Sequence, residues 1–182
     1  MLVAPASWFP TQISHFARAS ANIAGQQVEV ARRLAAREPR PRRVLVGDAG
    51  AIPYLSGLDA IDGLGLGGYH GLPFARASVH GIPAVVELIE RLPEAERPDV
   101  FALYPSWWGG LADVFGRRAF GVRIEDNVIC AADEKVVYDA DWSALAPAGE
   151  ARLDPFDALD ALDVADLVDE RAHGAQLPTP HG

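Results

Sequence analysis

Apolar residues recur at intervals of three, four and seven between positions 12 and 37, at Ile13, Phe16, Ile23, Val30 and Leu34, with alanines filling between them. This spacing predicts one long amphipathic helix. Asn22 and Gly25 weaken its middle, and Pro39 and Pro41 stop it at Arg37 or soon after. The period then shortens. Val44-Leu45-Val46 is an apolar run that ends in Gly47-Asp48-Ala49-Gly50, a strand over Val44–Gly47 closing on a turn. A helical turn at Ala51–Leu55 leads to a second strand at Leu58–Asp62. Gly63 to Gly81 is rich in glycine and reads as a long irregular loop. Gly81-Ile82-Pro83 opens a helix with Pro where a helix start favours it, and Val85, Leu88, Ile89 and Leu92 are its buried stripe. Further strands are expected at Asp99–Tyr104, Ala119–Ile124 and Lys135–Tyr138. Helical turns fall at Gly110–Phe115, a turn at Asp126-Asn127, and a short strand at Val128–Cys130. Strands alternating with helices predict an α/β fold: a small, mixed, partly parallel sheet flanked by helices in a three-layer-like arrangement.

The pattern divides the chain into an apolar lead-in over residues 1–11, a single α/β domain over 12–148, and an acidic linker or tail over 149–182, partly disordered. In the last segment acids recur every third residue, at Asp154, Asp157, Asp160, Asp163, Asp166 and Asp169, accompanied by Leu159, Leu162, Leu167 and Val168. This reads as a weak helix or an extended linker, since Asp is a poor interior helix former. It lacks the alternating ligands and central glycine of a calcium loop.

Composition is that of an ordinary globular chain, 49% apolar and 23% charged. A net charge of −9 argues against a nucleic-acid binder, which needs Lys and Arg on phosphates. The charge is uneven. Arg32, Arg33, Arg37, Arg40, Arg42 and Arg43 crowd residues 30–45, and acids dominate 139–170. These are either solvated surfaces or, for the basic end, a face for anionic lipid headgroups or a lipid phosphate. Cys130 is the one cysteine, so no internal disulfide forms. No run approaches the roughly 20 apolar residues that span a bilayer.

Few residues carry chemistry. Gly63-x-Gly65-x-x-Gly68 follows a strand, as a dinucleotide fingerprint does, but Tyr69-His70-Gly71-Leu72-Pro73 opposes an immediate helix and no acid stands at the end of a second strand about 20 residues on. Ser56 and Ser106 lack a nucleophile elbow. His15, His70, His80, His173 and His181 show no ligand spacing, so no metal and no cofactor are expected. Asp48 follows the first strand, where open α/β sheets hold ligands. Tyr104, Ser106, Trp107 and Trp108 follow the third and can reach the same edge. A carboxylate beside aromatic rings suits a sugar; the plainer reading has Asp48 capping its turn and the rings in the core. Asp48 and Asp62 end neighbouring strands, so a hydrolytic carboxylate pair is conceivable, with no fixed separation.

The stretch Val46-Gly47-Asp48-Ala49-Gly50-Ala51-Ile52-Pro53-Tyr54-Leu55-Ser56-Gly57, continuing through Ile61-Asp62 to Gly65-Leu66, resembles the segment that opens the soluble, extracytoplasmic C-terminal domain of bacterial GT-C-type membrane glycosyltransferases, the dolichyl-phosphate-mannose and arabinosyl/mannosyl transferase-like proteins. Looser similarity covers Asn22-Ile23, Gln26-Gln27-Val28, Ala102 to Trp107, and Lys135 to Tyr138. The resemblance implies a non-catalytic accessory domain at the outer (periplasmic) face of the inner membrane. Such a domain contacts acceptor glycan or a lipid-linked sugar, or braces the membrane portion of a polyprenyl-phosphate-sugar-dependent parent. The catalytic acid of that family lies in a loop between membrane helices that this chain does not contain, so no catalytic residue is assigned. The candidate ligand set is Asp48, Tyr54, Asp62, Tyr104, Ser106, Trp107 and Trp108. The rival reading is a stand-alone nucleotide- or sugar-phosphate-binding enzyme built on the Asp48 and Gly63–Gly68 turns.

Overall fold

The computed structural model describes residues 8–67, 71–108 and 110–145. The chain divides into two compact units, Met1–Ala148 and Gly149–Gly182. The acidic Asp154–Asp169 series, Gly68 and the lead-in before Trp8 lie outside the described residues.

The first unit opens with helix α1 (Trp8–Ile23), a π-helical turn (Ala24–Val28) and helix α2 (Glu29–Ala35), which run on as one rod. The π turn falls at Gly25, where the sequence weakens the helix. Strand β1 (Arg43–Val46) follows, then α3 (Ala51–Ser56), β2 (Asp59–Asp62), α4 (Gly71–His80) and α5 (Ile82–Arg91). After a 3-10 turn at Glu94–Glu96 come β3 (Val100–Leu103), α6 (Leu111–Phe115), β4 (Gly116–Arg123) and β5 (Glu134–Ala140).

Two expectations are corrected. The glycine-rich segment after Gly63 contains helix α4 and is not irregular throughout. Val128–Cys130 forms bends and not a strand. There the side chains of Asn22 and Asn127 accept the N–H groups of Val128, Ile129 and Cys130, which removes those donors from any ladder.

The sheet order is β2-β1-β3-β5-β4. β1 pairs in parallel with both β2 and β3; β5 runs antiparallel to β3 and β4. The result is the mixed, partly parallel sheet that the alternation of elements predicts. On one face Val44, Val46, Val100, Ala102, Val122 and Val137 pack with Val30 and Leu34 of α2 and Ile52 of α3. The alternate residues Leu45, Ile61, Phe101, Leu103 and Val136 are as deeply buried and point to the opposite face. The β1-to-β2 and β2-to-β3 connections travel in opposite directions along the sheet. Right-handed crossovers therefore put α3 on the first face and α4 and α5 on the second. Phe74 of α4 and Val85, Leu88 and Ile89 of α5 are buried, with Leu92 just beyond, so the stripe read from the sequence is the buried one. Trp142 closes the far end of this face, its ring 5.2 Å from that of Phe101.

Candidate functional site

The carboxyl ends of β1 and β3 are adjacent, and from them the chain leaves toward opposite edges of the sheet. This is a topological switch point, where a crevice opens between departing loops. Asp48 stands two residues beyond β1 and Tyr104 one beyond β3. The register Leu103↔Val136 sets Lys135, near the start of antiparallel β5, opposite Tyr104 at the same sheet edge. Lys135 shares its face with Val137 and so points toward the helical rod. The π turn of that rod supplies Gln26 and Gln27, both buried.

These side chains form one network. Gln27 Nε2 donates to Asp48 Oδ2 at 2.7 Å and to Tyr104 Oη at 2.8 Å. Tyr104 Oη donates to Gln26 Oε1 at 2.8 Å. Gln26 Nε2 donates to the carbonyls of Ala132 and Asp133, each at 3.0 Å. Lys135 Nζ donates to Gln27 Oε1 at 3.1 Å, forms an ion pair with Asp48 Oδ1, and lies 4.1 Å from the centre of the Tyr104 ring. Each amide uses both hydrogens and its oxygen, so both amides are fully satisfied and their orientations follow from their partners. Lys135 has no exposed side-chain surface, while Asp48 keeps 31% of its own. The carboxylate is thus the charged group of the network that a solute can reach.

Burial in this setting shifts the titrations. It lowers the pKa of Lys135, against the pull of Asp48. It raises that of Tyr104, with the Asp48 charge adding to the effect. It also raises that of Cys130, opposed by hydrogen bonding to Tyr104 and by the Lys135 charge.

The indoles stand on the same edge. Residues Tyr104 to Trp107 make a turn closed by Trp107 N–H donating to the Tyr104 carbonyl at 2.9 Å, and the two rings lie 5.3 Å apart. Trp107 is 45% exposed. Trp108 is buried across the ends of β1 and β2. A methyl group on Gly47 would come within 2.6 Å of its Nε1, and one on Gly63 within 2.0 Å of its Cη2, so both positions need glycine to admit the indole. The Trp108 N–H has no hydrogen-bond partner among the described residues. Trp107 and Trp108, with Leu64, Ser78, Ile82 and Val85, line a mainly apolar cleft of about 430 Å³.

Of the residues that the sequence singled out, Asp48 and Tyr104 meet through Gln27. Trp107 joins them through Tyr104, and Trp108 through Gly47. Ser106 is exposed in the same turn. Tyr54 projects from α3, 85% exposed, and takes no part in the network. Asp62 is fully buried, and its oxygens accept the N–H groups of Leu64 at 2.9 Å and Leu66 at 3.0 Å. Asp62 thus caps the turn that follows β2, while the bonds described for Asp48 go to Gln27 and Lys135. The Asp62 cap also spends two amides of the glycine loop on a carboxylate, where a bound pyrophosphate would need them free. Gln26, Gln27 and Lys135 were not singled out as site residues. For Gln26 and Gln27 the signal was local, polar groups set between the apolar Ile23 and Val30 on one helix; for Lys135 there was none. Among the described residues, no cluster of His, Cys, Asp or Glu could hold a metal ion.

Residues 21–161 match the family model described as Domain of unknown function (DUF8728). The chain belongs to this family. No curated protein and no solved structure matches it. The matched span holds every residue of the DUF8728 network, from Gln26 to Lys135, and begins near the carboxyl end of α1.

Proposed function

We propose that this DUF8728 domain is the non-catalytic accessory domain of a GT-C-type membrane glycosyltransferase, at the outer face of the inner membrane, and that its switch-point edge contacts acceptor glycan or the sugar of a lipid-linked donor. The observation that carries the reading is the convergence of one accessible carboxylate, Asp48, with the half-open Trp107 through Tyr104. A carboxylate takes hydroxyl hydrogens, and an indole covers the apolar face of a pyranose. The network behind Asp48 holds the acceptor in one orientation before a ligand arrives, which cuts the ordering cost of binding. The strings of looser resemblance to the glycosyltransferase domains include Gln26, Gln27, Tyr104 and Lys135, the network itself.

Titration of the 182-residue protein with a panel of cell-envelope glycans, followed by tryptophan fluorescence, tests this. One class of glycan should saturate the signal. W107A should weaken that binding by about tenfold or more, while Y54A should leave it unchanged. A flat response across the panel removes the glycan role and leaves only bracing of the membrane portion. A nucleotide that raises the melting temperature where glycans do not would favour the stand-alone enzyme instead.

A further inference from the structure

Helix α1 presents an apolar stripe that has no partner among the described residues. Phe9, Ile13 and Phe16 are 65%, 66% and 73% exposed, and every side chain from Phe9 to Arg18 is exposed. At about 100° and 1.5 Å per residue, these ten residues make a stub about 15 Å long with the three apolar groups inside an arc of about 60°. The opposite side of the helix, about 180° from Phe9, carries Arg18, with Asn22 one turn on. That side is the one held to the body. Arg18 Nη2 donates to the Asp126 carbonyl at 3.4 Å, Asn22 Nδ2 to the Glu125 carbonyl at 3.4 Å, and Asn22 Oδ1 accepts the Val128 N–H at 2.9 Å. The polar ridge therefore faces the protein and the apolar stripe faces away from it. The π turn produces this. In a plain α-helix Phe16, Ile23, Val30 and Leu34 would share one face. The wider turn at Ala24–Val28 sets the two halves out of phase, so Val30 and Leu34 enter the core while Phe9, Ile13 and Phe16 do not.

Charge argues for what covers the stripe. Residues 1–28 contain no Asp or Glu; all 25 acids of the chain follow Val28. In a protein of net charge −9, α1 is thus an acid-free helix whose charged and titratable groups are Arg18 and His15. An anionic bilayer surface meets no carboxylate on this helix, so the apolar stripe can enter it without bringing a like charge to the surface. We infer that α1 is a membrane-surface helix, laying Phe9, Ile13 and Phe16 into the headgroup–acyl boundary of an anionic bilayer without crossing it. This gives the bracing role a surface of its own and does not depend on glycan contact. A protein that binds vesicles but no glycan keeps this inference and loses the glycan reading.

The test is co-sedimentation of the 182-residue protein with phosphatidylcholine vesicles containing 30% phosphatidylglycerol. The wild type should pellet with the vesicles. I13E/F16E should partition at least about tenfold less, with an unchanged circular dichroism spectrum and melting temperature because both positions are exposed. The conservative I13L/F16L should pellet like the wild type. Wild-type protein left in the supernatant, or equal pelleting of I13E/F16E, overturns the inference. So does a concentration-dependent dimer, seen by sedimentation equilibrium without lipid and abolished by I13E/F16E, which would make a second copy the occupant of the stripe.

Discussion

Lys135 holds an ammonium group with no exposed side-chain surface, and Asp48 is its ion-pair partner. The two members of the pair differ in what they leave behind when removed. D48N strands a buried ammonium between a ring and an amide, and it should cost about 2–4 kcal/mol, the lower part of the range for a broken buried pair because Asp48 is partly solvated. K135M removes the group that bears the desolvation and leaves Asp48 with water and the Gln27 amide, but it also leaves the buried Gln27 Oε1 without its donor, so it should cost about 1–2 kcal/mol, less than D48N. Urea unfolding followed by tryptophan fluorescence compares them, and equal losses would show that the ion pair itself, and not the buried ammonium, sets the cost. The same residues mark how far the site was legible. Asp48 and Tyr104 could be found because the end of a strand is visible in a sequence. Lys135 could not, because it reads as the solvated start of an outer strand. Only the sheet order shows that β5 is inserted between β3 and β4, which buries its first inward side chain.

At the scale of the element, the periodicity of α5 was legible because its stripe is a plain α-helical one over ten residues. The first helix was legible as a helix but not as two faces, since a π turn leaves no mark in residue spacing. Helix α4 was hidden by the glycines that precede and open it and by Pro73, which carry the signature of a loop. Close packing accounts for some of those glycines. Gly65 has φ +71°, and a methyl group there would come within 2.0 Å of the Ala75 backbone nitrogen of α4. Gly63 has another reason, the Trp108 ring laid across it. G63A should therefore destabilise by about 1–3 kcal/mol through overpacking. The cost should fall below about 0.5 kcal/mol when measured against W108L, where the smaller side chain leaves room. A double-mutant cycle of unfolding free energies measures this coupling. Additive losses would mean that Gly63 is required by the backbone and not by the indole.

At the scale of the whole molecule, the crossing connections matter more than any single strand. They bring the ends of β1 and β3 and the start of β5 to one edge and set Lys135, Tyr104 and Cys130 there, each with a shifted pKa. Their shifts act on stability in opposite senses. Burial lowers the pKa of Lys135 below its ordinary 10.5, so between the lowered value and 10.5 the unfolded chain binds more protons and stability rises with pH. Burial raises Cys130 above 9.0 and Tyr104 above 10.0, and it raises Tyr138 on the opposite face of the sheet as well. Above those ordinary values the folded chain binds more protons, and stability falls. The urea midpoint should therefore climb over the pH range in which Lys135 has lost its proton in the folded chain but not yet in the unfolded one, and decline beyond about 10. Each limb has its own control. K135M should flatten the climb and leave the decline. C130S should delay the onset of the decline, and Y104F should make it shallower at the expense of the Gln26 and Gln27 hydrogen bonds. A wild-type midpoint that shows no climb before its decline would mean that attraction to Asp48 outweighs desolvation at Lys135 and that its pKa is raised. The switch-point ammonium would then stay charged throughout the range, with Asp48 held as its counterion.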